Sequence, residues 1–246
     1  PSMNAVVLDE WGGDLEVREV ARPEPDPGEV LVDVRACGVT RTIENAVQGG
    51  LSDDPDFTPR IPGHEFAGVV AATGDGVTAH EPGDRVVSYF YLTCGTCERC
   101  LRGDTNQCVN FGGWFGVQRD GAYAEYATIP ESNLLSLPEG ATFAEGAVAA
   151  DGLATPLHVC ERTGVSDDDT VLVLGAAGRI GVHLSQLAAN RGAHVLAADV
   201  DDDRLAHVDD LTPDAVTPID ARGDDFAERA RDATPYGDGP TVAVDT

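Results

Sequence analysis

This chain predicts an α+β protein of two domains, an all-β, barrel-like first half followed by a parallel α/β second half. Short valine-bearing runs broken by glycine and proline fill the first half. The texture turns alanine-rich and loses its alternation near residue 141. From residue 170 onward, strand-like and helix-like stretches alternate strictly. A length of 246 residues with 42% hydrophobic content suffices for two modest cores.

The strands expected in the first half are 6–8, 15–20, 29–36, 67–72, 85–89 and 122–129. Each is a short apolar run between turn residues, the pattern of a small barrel. Residues 144–161 read as helix, and Pro156 should kink or restart it because proline lacks the amide that a helix interior uses. Then 170–175 reads as a buried strand, 179–190 as helix, 194–199 as strand and 202–209 as helix. Residues 215–219 are the next strand, 224–231 a helix and 241–245 the last strand. Such alternation implies a parallel sheet with helices on both faces. The division is placed at 1–153 and 154–246.

Basic residues number 16 against 43 acidic, a formal net charge of -27, and every basic residue is arginine. Such a surface repels itself at low ionic strength and is screened within a few ångströms at molar salt. The expectation is a protein of a salt-rich cytoplasm. A docking face for a basic partner is the weaker reading, because the acids are spread along the chain, the run 199–203 apart. The same charge argues against nucleic acid or an anionic membrane as partner, and no apolar run approaches spanning length.

Cys94, Cys97 and Cys100 step by three, and Cys108 follows. Thiolates two residues apart can turn back onto one ion where the intervening residues bend tightly, as Gly95 and Thr96 do. A structural zinc closing a loop, without helix or strand, is the preferred expectation. Disulfides are weaker, since a chain of this length does not need staples. An iron–sulfur cluster is weaker too, because the fourth cysteine comes late and no proline trails it. Cys37 and Cys160 lie in apolar surroundings and read as small buried hydrophobes.

The turn after the strand 170–175 reads Gly175-Ala176-Ala177-Gly178-Arg179-Ile180-Gly181. Glycines there let backbone amides approach a pyrophosphate at the positive end of a helix. The pattern alone also serves tight packing, but a strand precedes it, a helix follows, and Asp199 closes the next strand about twenty residues on. An acid at that place accepts from ribose hydroxyls and repels a 2′-phosphate, favouring NAD, with NADP the alternative. The cofactor-binding residues are therefore expected to be Gly175, Gly178, Arg179, Ile180, Gly181, Asp199 and Arg204. A complete dinucleotide fold has two mononucleotide halves, and the strands found here are little more than the first. The expectation is either a fragment or a partner that supplies the rest.

Gly63-His64-Glu65 followed by Gly68, then Pro82-Gly83-Asp84-Arg85-Val86, the cysteine lobe, Asp120-Gly121-Ala122-Tyr123-Ala124-Glu125-Tyr126 and the glycine turn occur in a specific order. In that order they resemble the zinc-dependent medium-chain alcohol dehydrogenases over essentially the whole chain. The resemblance implies a GroES-like β-barrel domain with a zinc lobe at 94–108, a partial Rossmann domain, and a catalytic zinc in the cleft between them. Members of the family pass hydride from an alcohol to a nicotinamide while zinc polarises the oxygen. Polyols and sugars are the neighbouring substrate classes.

The family's cysteine ligand ends a Gly-Val-Cys segment, and here Gly38-Val39 is followed by Thr40, a poorer donor than a thiolate. The aspartate that usually follows is Ile43, and the relay histidine is Asn45. Thr42 falls where the family keeps the hydroxyl that hands the substrate proton along. His64 and Glu65 match the next ligand pair, and Asp151 lies where the third ligand stands. The resemblance thus implies a catalytic zinc on His64, Glu65 or a water it holds, Asp151 and Thr40, with Thr42 and Glu65 as catalytic residues. A small-molecule substrate is implied, and either a homo-oligomer or a companion chain that completes the Rossmann sheet. A zinc-free enone or quinone reductase of the same superfamily, and a noncatalytic remnant that keeps only structural zinc, are the rival readings.

Overall fold

The computed structural model describes residues 1–211 and 215–246. They form two compact units, Pro1–Ala150 and Asp151–Thr246. The division expected after residue 153 lies within the same helical connection.

In the first unit β1 (Ser2–Leu8) and β2 (Leu15–Ala21) pair antiparallel. β3 (Glu29–Cys37), β4 (Phe66–Thr73), β5 (Arg85–Ser88), β6 (Tyr126–Pro130) and β7 (Leu134–Ser136) make an antiparallel sheet in the order β6-β3-β4-β5-β7. Register shifts in β3 against β4, at Leu31/Val32 and Val34/Ala36, are bulges. Bulges bend a strand and raise its twist, so the sheet curls into the half-barrel that the short valine runs foreshadow. Its core is Val30, Val32, Phe66, Val86, Phe115 and Ile129, all fully buried.

Several elements depart from the sequence expectation. The strand expected at 122–129 begins only at Tyr126. Ahead of it the chain folds over Gly63, where the Ala122 amide donates to the Gly63 carbonyl at 2.9 Å and the Tyr123 amide to Pro62 at 2.9 Å. β7 spans 3 residues, too short to leave a period. A helix absent from the sequence reading, α1 (Arg41–Val47), buries Ile43, Ala46 and Val47 on one face. The cysteine lobe also contains a one-turn helix, α2 (Glu98–Leu101), where a plain loop was expected.

The alanine-rich stretch is α3 (Phe143–Val148), a π turn at Ala149–Leu153 and α4 (Ala154–Thr163). The helix does restart near Pro156, which sits in the first turn of α4. There its missing amide costs nothing, and the wider π turn relieves the ring's clash with the carbonyl four residues back.

The second unit contains β8 (Thr170–Leu174), α5 (Arg179–Asn190), β9 (His194–Asp199), α6 (Asp202–Leu211), β10 (Val216–Asp220), α7 (Phe226–Asp232) and β11 (Val242–Asp245). The strands run parallel in the order β10-β9-β8-β11. That order is the first half of a Rossmann sheet plus the strand beyond its switch point. Val171, Val173, Val195 and Ala197 pack against Leu184 and Ala188 of α5, while Leu172, Leu196 and Ala198 face the side of Ala230 on α7. Two buried faces explain why these strands read as continuous apolar runs. Among the described residues no helix is long and apolar enough to cross a membrane.

Candidate functional site

The sulfur atoms of Cys94, Cys97, Cys100 and Cys108 all lie within 4.8 Å of one another. Cys94 and Cys108 are 3.5 Å apart, and the pairs Cys94–Cys100 and Cys97–Cys108 are each 4.0 Å apart. A tetrahedral zinc with bonds of ~2.3 Å sets its sulfurs about 3.8 Å apart, so the cluster fits a structural zinc. Gly95 supplies the bend at φ 67°, and α2 places Cys97 and Cys100 on one side a turn apart. All six cysteines are free thiols. The Cys97 amide donates to the Cys94 sulfur at 3.3 Å and the Cys94 amide to Cys108 at 3.4 Å. Amides of Thr96 and Cys97 bring the Cys94 thiol down to about 5, and those of Cys100 and Val109 lower Cys97. Desolvation, then the crowding sulfurs of Cys97 and Cys108, pushes Cys100 up to about 12. Amides aimed at sulfur favour thiolate, and a cation is what lets the remaining sulfurs join them.

His64 and Glu65 are 2% and 1% exposed and lead directly into β4. Ser88, at the end of β5, accepts from the Phe66 amide at 2.9 Å and donates to the His64 carbonyl at 3.2 Å, fixing the backbone. The Phe90 ring meets the imidazole edge-on at 4.6 Å. A Cβ on Gly38 would stand 2.6 Å from the Glu65 carboxyl carbon, so a glycine there leaves room for the acid. The Gly38 amide donates to the Glu65 carbonyl at 2.9 Å, and the Tyr123 hydroxyl donates to the Gly38 carbonyl at 3.0 Å. Burial, then the Glu65 carboxylate, pushes the Cys37 thiol up. Partly buried Cys37 and fully buried Cys160 both sit among apolar groups as expected.

Thr40 is buried and caps α1, its hydroxyl oxygen accepting from the Ile43 amide at 3.1 Å. Thr42 lies on the exposed side of that helix, lining an open cleft with Asn45, Gln48 and Leu51. The signal for α1 was legible: a threonine, then Ile43, Ala46 and Val47 at helical spacing.

In the second unit Gly178 caps α5. A Cβ on Gly181 would overlap the Gly175 carbonyl oxygen and stand 2.7 Å from the Ala176 Cα, so only glycine lets α5 pack this close to the turn. Asp199 ends β9 as expected, but its carboxylate reaches the turn itself. One oxygen accepts from the Ala177 amide at 2.9 Å, the other from the amides of Val200 at 2.7 Å and Asp201 at 3.2 Å. Arg204 is exposed and pairs with Asp201 at 3.3 Å. Ile180 is half-buried in the first turn of α5. Asp151, 7% exposed, accepts from the Thr155 hydroxyl at 2.7 Å and pairs with Arg179 at 3.4 Å. The contacts of Asp199 with Ala177 and of Asp151 with Arg179 leave no signal in the sequence, because no local pattern links residues 22 and 28 positions apart.

Residues 26–139 match the family model described as Alcohol dehydrogenase GroES-like domain. The chain is 34% identical over 227 residues to an alcohol dehydrogenase of Geobacillus stearothermophilus, covering 92% of this chain and 66% of that protein. It thus spans just under two thirds of that relative's length. A cobalt- and zinc-bound thermostable alcohol dehydrogenase from Pyrobaculum aerophilum superposes with a TM-score of 0.87 at 34% identity, over 100% of this chain and 70% of that one. An NAD-dependent alcohol dehydrogenase superposes with a TM-score of 0.88, also at 34% identity, over 98% and 70%.

Proposed function

The chain belongs to the zinc-dependent medium-chain alcohol dehydrogenase family, and we propose that it serves an NAD-linked oxidation of an alcohol, polyol or sugar. The observation that carries this is the close-packed Gly175–Gly181 turn. Its glycines let α5 begin directly against the end of β8, the place where a helix N-terminus holds a diphosphate through backbone donors. Gly175, Gly178, Ile180 and Gly181 would shape that cradle, and Arg179 would add a guanidinium. Asp199 would hold the adenine ribose and disfavour a 2′-phosphate. Its existing bond to the Ala177 amide ties this acid to the cradle, so both parts of the cofactor would be read by one rigid piece. Arg204, bound to Asp201, is the weakest member of the set.

His64, Glu65, Asp151 and Thr40 are the residues that would hold a catalytic zinc. Imidazole and carboxylate donors suit zinc, and both His64 and Glu65 are buried where a charge gains from a cation. Thr40 is the poorest donor of the four because its oxygen already caps α1. When bound, zinc supplies Lewis-acid polarisation of the substrate oxygen, and NAD supplies the hydride acceptor. The protein's share is to orient both and to move the proton. Thr42 would relay that proton from the substrate hydroxyl to water on the exposed side of α1. Cys94, Cys97, Cys100 and Cys108 would hold their lobe and do no chemistry.

A zinc-free reductase of the same superfamily is the second reading, favoured by Thr40 serving as a helix cap where the family has a cysteine. Metal analysis separates the two: the dehydrogenase needs a zinc beyond the one in the cysteine lobe. Under the first reading Thr40→Cys should raise occupancy of that second metal and alter NAD reduction over a panel of alcohols and polyols. If the variant changes neither, the assignment of these residues to a metal fails.

A further inference from the structure

Arg179 stands at the first position of α5 in the glycine turn, yet its guanidinium points back to Asp151 at 3.4 Å. That contact is partly shielded, with the two side chains 29% and 10% exposed. Asp151 is held in turn by the Thr155 hydroxyl at 2.7 Å. The pairing also depends on Gly152, the residue that follows Asp151. A Cβ on Gly152 would stand 2.8 Å from one terminal nitrogen of Arg179 and 2.9 Å from its central carbon. The glycine is thus the seat on which the guanidinium rests.

We propose that Asp151 is a built-in competitor for Arg179, and that a dinucleotide's diphosphate must draw this guanidinium away from the carboxylate in order to bind. The inference rests on dinucleotide binding at this turn. Both the carboxylate and a diphosphate are planar or forked oxygen acceptors for the same donor fork. The diphosphate would sit at the end of α5, where backbone amides and the helix dipole already favour it. Arg179 cannot serve two anions in opposite directions with the same nitrogens. Cofactor affinity is therefore set below what the turn alone would provide, and the Asp151–Arg179 contact is given up when the cofactor arrives. By linkage, anything that occupies Asp151 in place of Arg179 should favour the cofactor equally.

The test is titration calorimetry of the purified full chain with ADP-ribose and with NADH, and with AMP, which lacks the diphosphate. Asp151→Asn and Gly152→Ala should each tighten ADP-ribose about two- to five-fold, the range of a partly exposed ion pair. Gly152→Ala keeps both charges and only displaces the guanidinium, so it separates release of Arg179 from the mere loss of a negative charge. Arg179→Gln should weaken ADP-ribose, and in that background neither of the other substitutions should have an effect. AMP binding should change little in any of them. The inference is overturned if Asp151→Asn leaves ADP-ribose affinity unchanged, or if its effect persists in the Arg179→Gln background. Failure of the unmodified chain to bind either NADH or ADP-ribose would instead refute the dinucleotide site itself.

Discussion

Gly181→Ala puts the contact between α5 and the strand-end turn to a direct test. The added methyl would overlap the Gly175 carbonyl oxygen and stand 2.7 Å from the Ala176 Cα. Carbon atoms rest at about 3.5–4.0 Å, so the helix or the turn must give by about 1 Å. Both obstacles are backbone atoms of a turn whose Ala176 amide is bonded to the Ala198 carbonyl at 3.0 Å and whose Ala177 amide is bonded to Asp199. Neither can rotate aside as a side chain would. Overpacking of this kind costs ~1–3 kcal/mol, offset by ~1 kcal/mol because alanine is the better helix former. The net loss of up to ~2 kcal/mol should lower the melting temperature by about 4–8 °C at this chain length. Circular dichroism at 222 nm would follow unfolding, and NADH fluorescence titration would follow the cradle, whose amides must shift with the helix. Affinity should fall about ten-fold or more, since a displacement near 1 Å is large for hydrogen bonds to a diphosphate. Gly178→Ala is the comparison for melting alone, because its Cβ would meet the Gly175 oxygen at 3.0 Å and needs a smaller adjustment than at Gly181. If Gly181→Ala melts and binds NADH like the unmodified chain, the close approach is not what shapes the turn.

Further outcomes follow from other parts of the molecule. Cys94→Ser should remove about one zinc per chain by elemental analysis and lower the melting temperature, since a structural site contributes its binding energy to folding. NADH binding should survive, because the glycine turn belongs to the other unit. Asp169 has its carboxyl held below the usual range by the Thr241 hydroxyl and then by the Ser166 amide. A group depressed in the folded state stabilises above its unfolded pKa of about 3.9, and that contribution is lost as pH falls through the lower folded value. Urea midpoints should therefore drop more steeply below about pH 4 in the unmodified chain than in Asp169→Asn. With a net charge of -27 and no lysine, the melting temperature should rise between about 0.1 M and 2 M KCl, as screening shortens from ~10 Å to below ~3 Å. A flat response would contradict the reading of the charge as adaptation to salt.

Local periodicity was legible wherever it ran long enough. The strand 170–175, the helix 179–190 and the strand 194–199 were placed almost to the residue, because strands buried on both faces read as unbroken apolar runs and an amphipathic helix repeats its apolar positions. The cysteine lobe was legible from spacing, since a chelate ring closes through few intervening residues. What escaped was set by distance along the chain. β7 acquires its identity from pairing with β5, and the bend at 122–125 from the loop at Gly63. Thr40 stands where the family has a thiolate, and its hydroxyl caps the short helix α1.

Sequence alone thus determined the two textures of fold, the four sulfurs and the glycine turn, because each is specified by neighbours within a few residues. Only the tertiary structure decided that Asp199 would brace that turn, that Gly38 would make room for Glu65, and that Arg179 would lie over Gly152 against Asp151. Those contacts join residues separated by tens of positions. Their partners are chosen by how sheet and helix pack, and no local preference of the chain encodes that.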